Sequence, residues 1–317
     1  MVKPNRIWFA GSSNFALPSL NALIEAELIQ GVLTTQALPQ GRSLTLTPSP
    51  VALRAKQLGV EVIELGSLKN NDEQDTIRSL NALAIITCSF GRIVPQELLN
   101  TPTAGWYNIH ASLLPAYRGS APMQRCIQQG CNITGVTIFK LDAGIDTGPI
   151  ALKIPVNITG QENYFELESM LANLASTHII EVAQAIYSNS ISLTAQEYIS
   201  TVVPIAKTIH KEEGLIQWNL PANSIERQLR AFINWPTSYS FLDGKRVQIL
   251  SGKVHSIKPP EHRNIIGALW ENNNKLFVTC GEEVLEVLTI KREGKATVEG
   301  IAFFRGIQNN KYSCVFS

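Results

Sequence analysis

The sequence predicts an α/β domain on a mostly parallel, Rossmann-like sheet, followed by a small OB-like β-barrel domain. Three observations carry this. Up to about residue 190, short apolar runs alternate with amphipathic helical patterns, as right-handed strand-helix crossovers require. Around 188–206 the chain turns polar and irregular (SNSISLTAQEYISTVVP), as linkers do. Beyond it, strand-like runs broken by turn signals dominate, with one helical pattern among them. The expected boundaries are 1–189 for the first domain, 190–206 for the linker and 207–317 for the second domain.

In chain order, RIWFAG (6–11) is a short apolar strand ending in glycine. SSN (12–14) offers helix-capping side chains before FALPSLNALIEAE, where Phe15, Leu20, Leu23 and Ile24 share a face. LIQGVLTT (28–35) returns as a strand, 36–47 reads as a loop, and PSPVALRAKQLG (48–59) is a helix with proline near its start. VEVIE (60–64), a polar helix at 72–81 and LAIITCS (83–89) continue the alternation. WYNIH (106–110), a helix near 119–130, the strand ITGVTIFKL (133–141) and a long apolar-periodic helix over 163–187 complete the domain. In the second domain SIERQLRAFINW (224–235) is an amphipathic helix stopped by Pro236. Turns are expected at Asp243–Gly244, Asn272–Asn274, Gly281 and Gly294, between short strands.

Composition is that of a globular protein, 44% hydrophobic and 17% charged, and no apolar run is long enough for a membrane span. MVKPNRIWFAG enters a strand directly, without the apolar core of a signal peptide. Five cysteines, odd in number and without a Cys-x-x-Cys pair, argue against a disulfide framework or zinc knuckle and fit a reducing cytoplasm. Residues 1–206 hold 12 Lys/Arg against 15 Asp/Glu, a net −3, while 207–317 hold 15 against 11, a net +4. The basic second half suits either a polyanionic partner or ordinary solubilising surface.

Ligands of open α/β sheets bind outside the carboxyl ends of the strands. The first such turn, FAGSSNFA, lacks the middle glycine of a dinucleotide fingerprint, and no Walker A sequence exists. Asn108 and His110 lie two apart in a strand and project from one face. LDAGIDTG (141–148) follows the next long strand, and its Asp146 can converge with them. By residue type and position alone, these three are either a reactive set or turn and packing residues. One His, one Asp and one Asn make a poor transition-metal site. Arg118 is either an anion contact or an exposed side chain packing its stem on the loop.

Asn108-Ile-His110, SLLPAYRGSAP (112–122) and GVTIFKLDAGIDTG (135–148) resemble the signature of the 10-formyltetrahydrofolate-dependent formyltransferases. FAGSSNFA, PSPV (48–51), FGRIVP (90–95), KTIHKEEGLIQW (207–218) and RAFINWP (230–236) extend the likeness and are most similar to the branch acting on methionyl-tRNA. The resemblance implies Asn108, His110 and Asp146 as the catalytic set. It implies that the folate lies against Phe90, Gly91 and Ile93, against Ser112, Leu113, Leu114 and Pro115, and against Asp142. The co-substrate would be 10-formyltetrahydrofolate, with no metal, because the folate already carries an activated acyl group. The partner would be initiator methionyl-tRNA and the enzyme a monomer, with no membrane contact. The family loop that enters the tRNA acceptor end is rich in Lys and Arg. Here QALPQGRSLTLTP (36–48) holds Arg42 as its one charge, the implied tRNA contact. Ala111 stands where glycine is common, and Gln217 where an acid is. The rival readings are a formyltransferase for another amine, such as a sugar nucleotide or purine precursor, and a non-catalytic RNA-binding protein.

Overall fold

In a computed structural model, residues 7–40, 45–197, 203–308 and 314–317 are described. The chain forms two compact units. One gathers Met1–Pro122, Ile133–Asn157 and Leu167–Ala206; the other gathers Met123–Asn132, Ile158–Glu166 and Lys207–Ser317.

Up to residue 206 the elements are β1 (Ile7–Gly11), α1 (Leu17–Glu25), β2 (Ile29–Thr35), β3 (Leu38–Gln40), β4 (Thr45–Thr47), α2 (Pro50–Gln57), β5 (Glu61–Leu65) and α3 (Asn71–Ser79). Then come β6 (Ala84–Cys88), β7 (Gly105–His110), β8 (Arg118–Gly119), α4 (Pro122–Gln129), β9 (Ile133–Lys140), β10 (Ile150–Asn157), α5 (Tyr164–Tyr187) and β11 (Ile205–Ala206). Seven strands form one sheet in the order β10-β9-β7-β6-β1-β2-β5. From β7 to β5 the neighbours run parallel, whereas β9 runs antiparallel to both β7 and β10. The apolar runs explain the interior: every residue of β1 and β6 is buried, as strands covered on both faces require. β10 instead alternates along its length, as an edge strand does.

Local chemistry sets the helices. Ser49 Oγ caps α2 by accepting from Ala52 N at 2.9 Å, and Pro50 occupies the first turn. α5 buries Leu167, Leu171, Ala175, Ile179, Ala183 and Ile186, a stripe of three- and four-residue steps. Two expectations are corrected. SSN does not cap a helix through its side chains; a 3-10 turn over Asn14–Ala16 precedes α1, and Ser12 Oγ donates to Phe90 O at 3.1 Å. The stretch read as a loop at 36–47 contains the antiparallel pair β3–β4.

The second unit holds α6 (Ala222–Ala231), β12 (Tyr239–Leu242), β13 (Lys245–His255), β14 (Leu269–Asn272), β15 (Lys275–Thr279), β16 (Val284–Arg292), β17 (Thr297–Glu299) and α7 (Gly300–Gln308). The strands form an antiparallel sheet in the order β12-β13-β16-β15-β14, with β17 on β16. Turns fall at the expected Gly-, Asp- and Asn-bearing positions between strands. α7 is a correction, since that stretch reads as strand. Its Phe303, Phe304 and Ile307 join Ile225 and Leu229 of α6 in the core. Residues 314–317 bridge the two outer strands of the order. Leu269 N donates to Cys314 O at 2.7 Å, and Phe241 and Ser317 exchange two backbone bonds at 3.0 Å. This closes the half-barrel, with Phe316 stacked on Trp218 at 5.4 Å between centroids.

Arg125 and Glu213 form a fork-to-fork pair at 2.6 and 3.0 Å, and Glu213 also accepts from His210 N at 2.7 Å. The Arg125 guanidinium holds the Glu213 carboxyl below its usual range against the opposing effect of burial. A lowered carboxylate contributes stability above its unfolded pKa and loses it as pH falls through the folded value. In urea melts, the parent should therefore exceed Glu213→Gln most above about pH 4.3, with the gap closing at more acid pH. Phe316→Ala should cost about 3–5 kcal/mol of this unit's stability in the same measurement.

Candidate active site

The site begins with the alternation of β7, which puts Trp106, Asn108 and His110 on one face. Trp106 anchors that face: it is buried among Trp8, Ile85 and Phe90, and its Nε1 donates to Leu98 O at 2.8 Å. Asn108 is half-buried. Thr87 Oγ1 on β6 donates to Asn108 Oδ1 at 2.8 Å and lies 3.1 Å from Tyr107 O. With its oxygen engaged, Asn108 keeps Nδ2 as the donor to offer elsewhere.

His110 is 6% exposed, and both ring nitrogens have partners. Nε2 lies 2.9 Å from Tyr117 O, and a carbonyl only accepts, so Nε2 carries the proton. Nδ1 faces Asp146 Oδ2 at 3.6 Å, too far for a direct hydrogen bond and near enough to balance a charged ring. The same Asp146 oxygen accepts from Gly119 N at 2.8 Å. Gly119 has φ +117°, and a Cβ there would lie 2.4 Å from Ala206 O of the paired β11, so only glycine lets its N–H reach the carboxylate.

The register of β9 explains the course of the Asp146 loop. Tyr107 pairs with Lys140 and His110 with Thr137, so 141–148 leaves β9 beside the start of β7 and doubles back to His110. Asp142 ties the turn, its Oδ1 accepting from Gly144 N at 3.0 Å and Thr147 Oγ1 at 2.6 Å. Gly148 is required, because a Cβ would stand 1.8 Å from Lys140 O.

The other sequence candidates fall into two groups. Ser112 and Leu114 are buried: Ser112 Oγ donates to Ala116 O at 2.7 Å, and Leu114 N donates to Thr137 Oγ1 at 3.1 Å. Leu113 and Pro115 flank them, half-buried. Phe90 is buried and Gly91 adopts φ +72°, while Ile93 is 87% exposed. Ser12 and Arg92, whose Nε donates to Gly66 O at 2.6 Å, fasten that segment. Arg42 lies outside the described residues.

Arg118 is corrected: it is 9% exposed, and its guanidinium donates from Nη2 and Nε to Gln196 Oε1 at 2.5 and 3.2 Å. Sequence reasoning missed Thr87, Tyr117, Gly119 and Gln196, whose roles rest on distant partners. Burial pushes the Cys88 thiol, next to Thr87, far above its ordinary range, which leaves it inert as a nucleophile. Among the described residues no group of His, Cys, Asp and Glu is arranged to hold a metal ion, and no helix is long and apolar enough to cross a membrane.

The formyl transferase family matches residues 5–183, and the formyl transferase C-terminal domain matches 208–308. A methionyl-tRNA formyltransferase of Syntrophomonas wolfei is 34% identical over 304 residues, 95% of each chain. One from Nitrobacter winogradskyi is 34% identical over 308 residues, 96% of each. Among solved structures, an N-formyltransferase from Helicobacter canadensis, in complex with folinic acid and dTDP-3-aminofucose, aligns with a TM-score of 0.65. That alignment has 19% identity over 89% of this chain and 99% of the other, a likeness of fold.

The geometry of the loop makes one prediction. Gly148→Ala should loosen the 141–148 turn, read by hydrogen exchange as faster loss of the Gly144 and Gly119 amide protons, which Asp142 and Asp146 hold.

Proposed function

The chain belongs to the methionyl-tRNA formyltransferases of the formyl transferase family, and on that premise we propose that it moves the formyl group of 10-formyltetrahydrofolate to the α-amino group of initiator methionyl-tRNA, with Asn108, His110 and Asp146 as the catalytic set. One observation carries the choice of acceptor: the likeness runs through both units, residues 208–308 included, at 34% identity. The N-formyltransferase in complex with dTDP-3-aminofucose shares the fold at 19% identity.

The side chains suit the charges of this reaction. An α-amino group has a pKa of about 8, so near neutrality it must shed a proton to attack. That first proton goes to solvent; attack by the neutral amine then makes its nitrogen cationic, and His110 Nδ1, flanked by the Asp146 carboxylate, takes the second proton directly or through one water. As the new C–N bond forms, negative charge grows on the formyl oxygen, and Asn108 Nδ2 donates to it. Asn108 is held for that task by Thr87. When the bond to the folate nitrogen breaks, the imidazolium returns the proton to that nitrogen, so the balance closes. The Tyr117 carbonyl fixes which ring nitrogen does this work.

For the donor, the exposed apolar side chains of Ile93 and Ile145 are the kind of surface a flat ring system covers. Phe90, Gly91, Leu113, Pro115 and the 141–147 loop complete the folate reading, with Ser112, Leu114 and Asp142 supporting the loops. Arg42 and the basic residues of 207–317 supply phosphate contacts for tRNA.

The test is formyl transfer from 10-formyltetrahydrofolate to purified methionyl-tRNA. Transfer to an amino sugar nucleotide with none to methionyl-tRNA would overturn the reading. Replacing Asn108, His110 or Asp146 by alanine should lower kcat by about 100- to 1000-fold. Affinity for methionyl-tRNA, measured by filter binding, should stay within about two-fold of the parent because these side chains face the reacting atoms.

A further inference from the structure

The polar stretch after α5 contains none of the three reacting side chains, yet Gln196 from that stretch grips the backbone that carries one of them. Gln196 Nε2 donates to Asp146 O at 2.9 Å and to Gly148 O at 2.8 Å. Its Oε1 accepts both Nη2 and Nε of buried Arg118. An amide has two N–H donors and one oxygen, and here every one is engaged. The orientation is fixed, since a flipped amide would set its oxygen against two carbonyls and its N–H groups against a guanidinium.

The contacts close a ring. Arg118 holds Gln196, Gln196 holds the Asp146 carbonyl, the Asp146 carboxylate holds Gly119 N, and Gly119 is bonded to Arg118. Asp146 itself sits at φ +53°, a left-handed conformation that a non-glycine residue keeps only where its surroundings insist. With the carbonyl released, the peptide can rotate toward an ordinary conformation and carry the carboxylate away from His110 Nδ1.

We propose that Gln196, backed by Arg118, is a positioning residue for formyl transfer: it locks the Asp146 backbone so that the carboxylate stays beside His110. The inference rests on the reading of Asp146 and His110 as a catalytic pair. It assigns Gln196 no contact with either substrate, so its loss acts on turnover and not on binding.

The experiment uses the full chain, 10-formyltetrahydrofolate and methionyl-tRNA, and compares Gln196→Glu, Gln196→Ala and Asp146→Ala. Gln196→Glu keeps an acceptor for Arg118 but replaces the two N–H donors with an oxygen facing carbonyls. Its kcat should fall about 10- to 100-fold, the loss that a shift of about 1 Å in a catalytic group produces. Both KM values should stay within about two-fold and Tm within about 2 °C. Gln196→Ala should lose kcat to a similar degree, with a lower Tm because the two hydrogen bonds from Arg118 to Gln196 Oε1 are lost. Parental kcat in Gln196→Glu, or a kcat loss that tracks a fall in Tm across both variants, would overturn the proposal. Asp146→Ala separates the two readings. If it is inactive while Gln196→Glu matches the parent, the positioning role alone fails. If it is fully active, the catalytic pair itself fails.

Discussion

An imidazole has two nitrogens, and at His110 each is met by a residue in the left-handed region of backbone space. Tyr117, whose carbonyl accepts a hydrogen bond from Nε2, has φ +60°, and Asp146, whose carboxylate faces Nδ1, has φ +53°. Such conformations cost roughly 1–3 kcal/mol each for residues with a Cβ. The loops that bear them therefore have to be held from outside. Tyr117 N donates to Pro204 O at 2.6 Å, and Ala121 N donates to Ala206 O at 3.3 Å. The proposed chemistry depends on this double grip, because it decides which nitrogen is free to exchange a proton.

The sheet supplies the remaining fixed points. Thr137, fully buried on β9 and opposite His110 in the register, donates to Ser112 O at 2.6 Å and accepts from Leu114 N. One hydroxyl thus ties the loop that follows β7 to the neighbouring strand β9. Thr87 does the same for Asn108 from β6. Both threonines sit within ladders of the central sheet, where backbone displacement is costly. The side chains proposed to act are thus held by the protein itself, which is what electrostatic stabilisation of a developing charge requires.

Much of this was legible in the residues. β1, β6 and β7, the helix near 163–187 and the turns of the second unit follow from periodicity and turn chemistry. The same-face relation of Asn108 and His110 follows from the pleat alone. Strand direction did not follow: an eight-residue strand such as ITGVTIFK, buried over its central six residues, reads alike whether it lies parallel or antiparallel. GIAFFRGIQ has adjacent phenylalanines and glycines near both ends, features that suit a strand as well as the helix it forms. Gln196 and Tyr117 gave no signal, because their value lies in partners brought by tertiary structure. Arg118 misled for a related reason: an arginine in a glycine-bearing loop is usually solvated, and its burial depends on a glutamine 78 residues away.

That separation affects how the molecule assembles. The two-residue ladder between β8 and β11 and the bond between Arg118 and Gln196 close a long stretch of chain for few contacts. Closure of this kind is entropically expensive until the intervening elements have collapsed. The central sheet and its helices can form with little help from Gln196 and β11, whereas the cradle around His110 cannot. Compactness and competence are thus separate events along the folding route, and a nascent chain reaches the first well before the second.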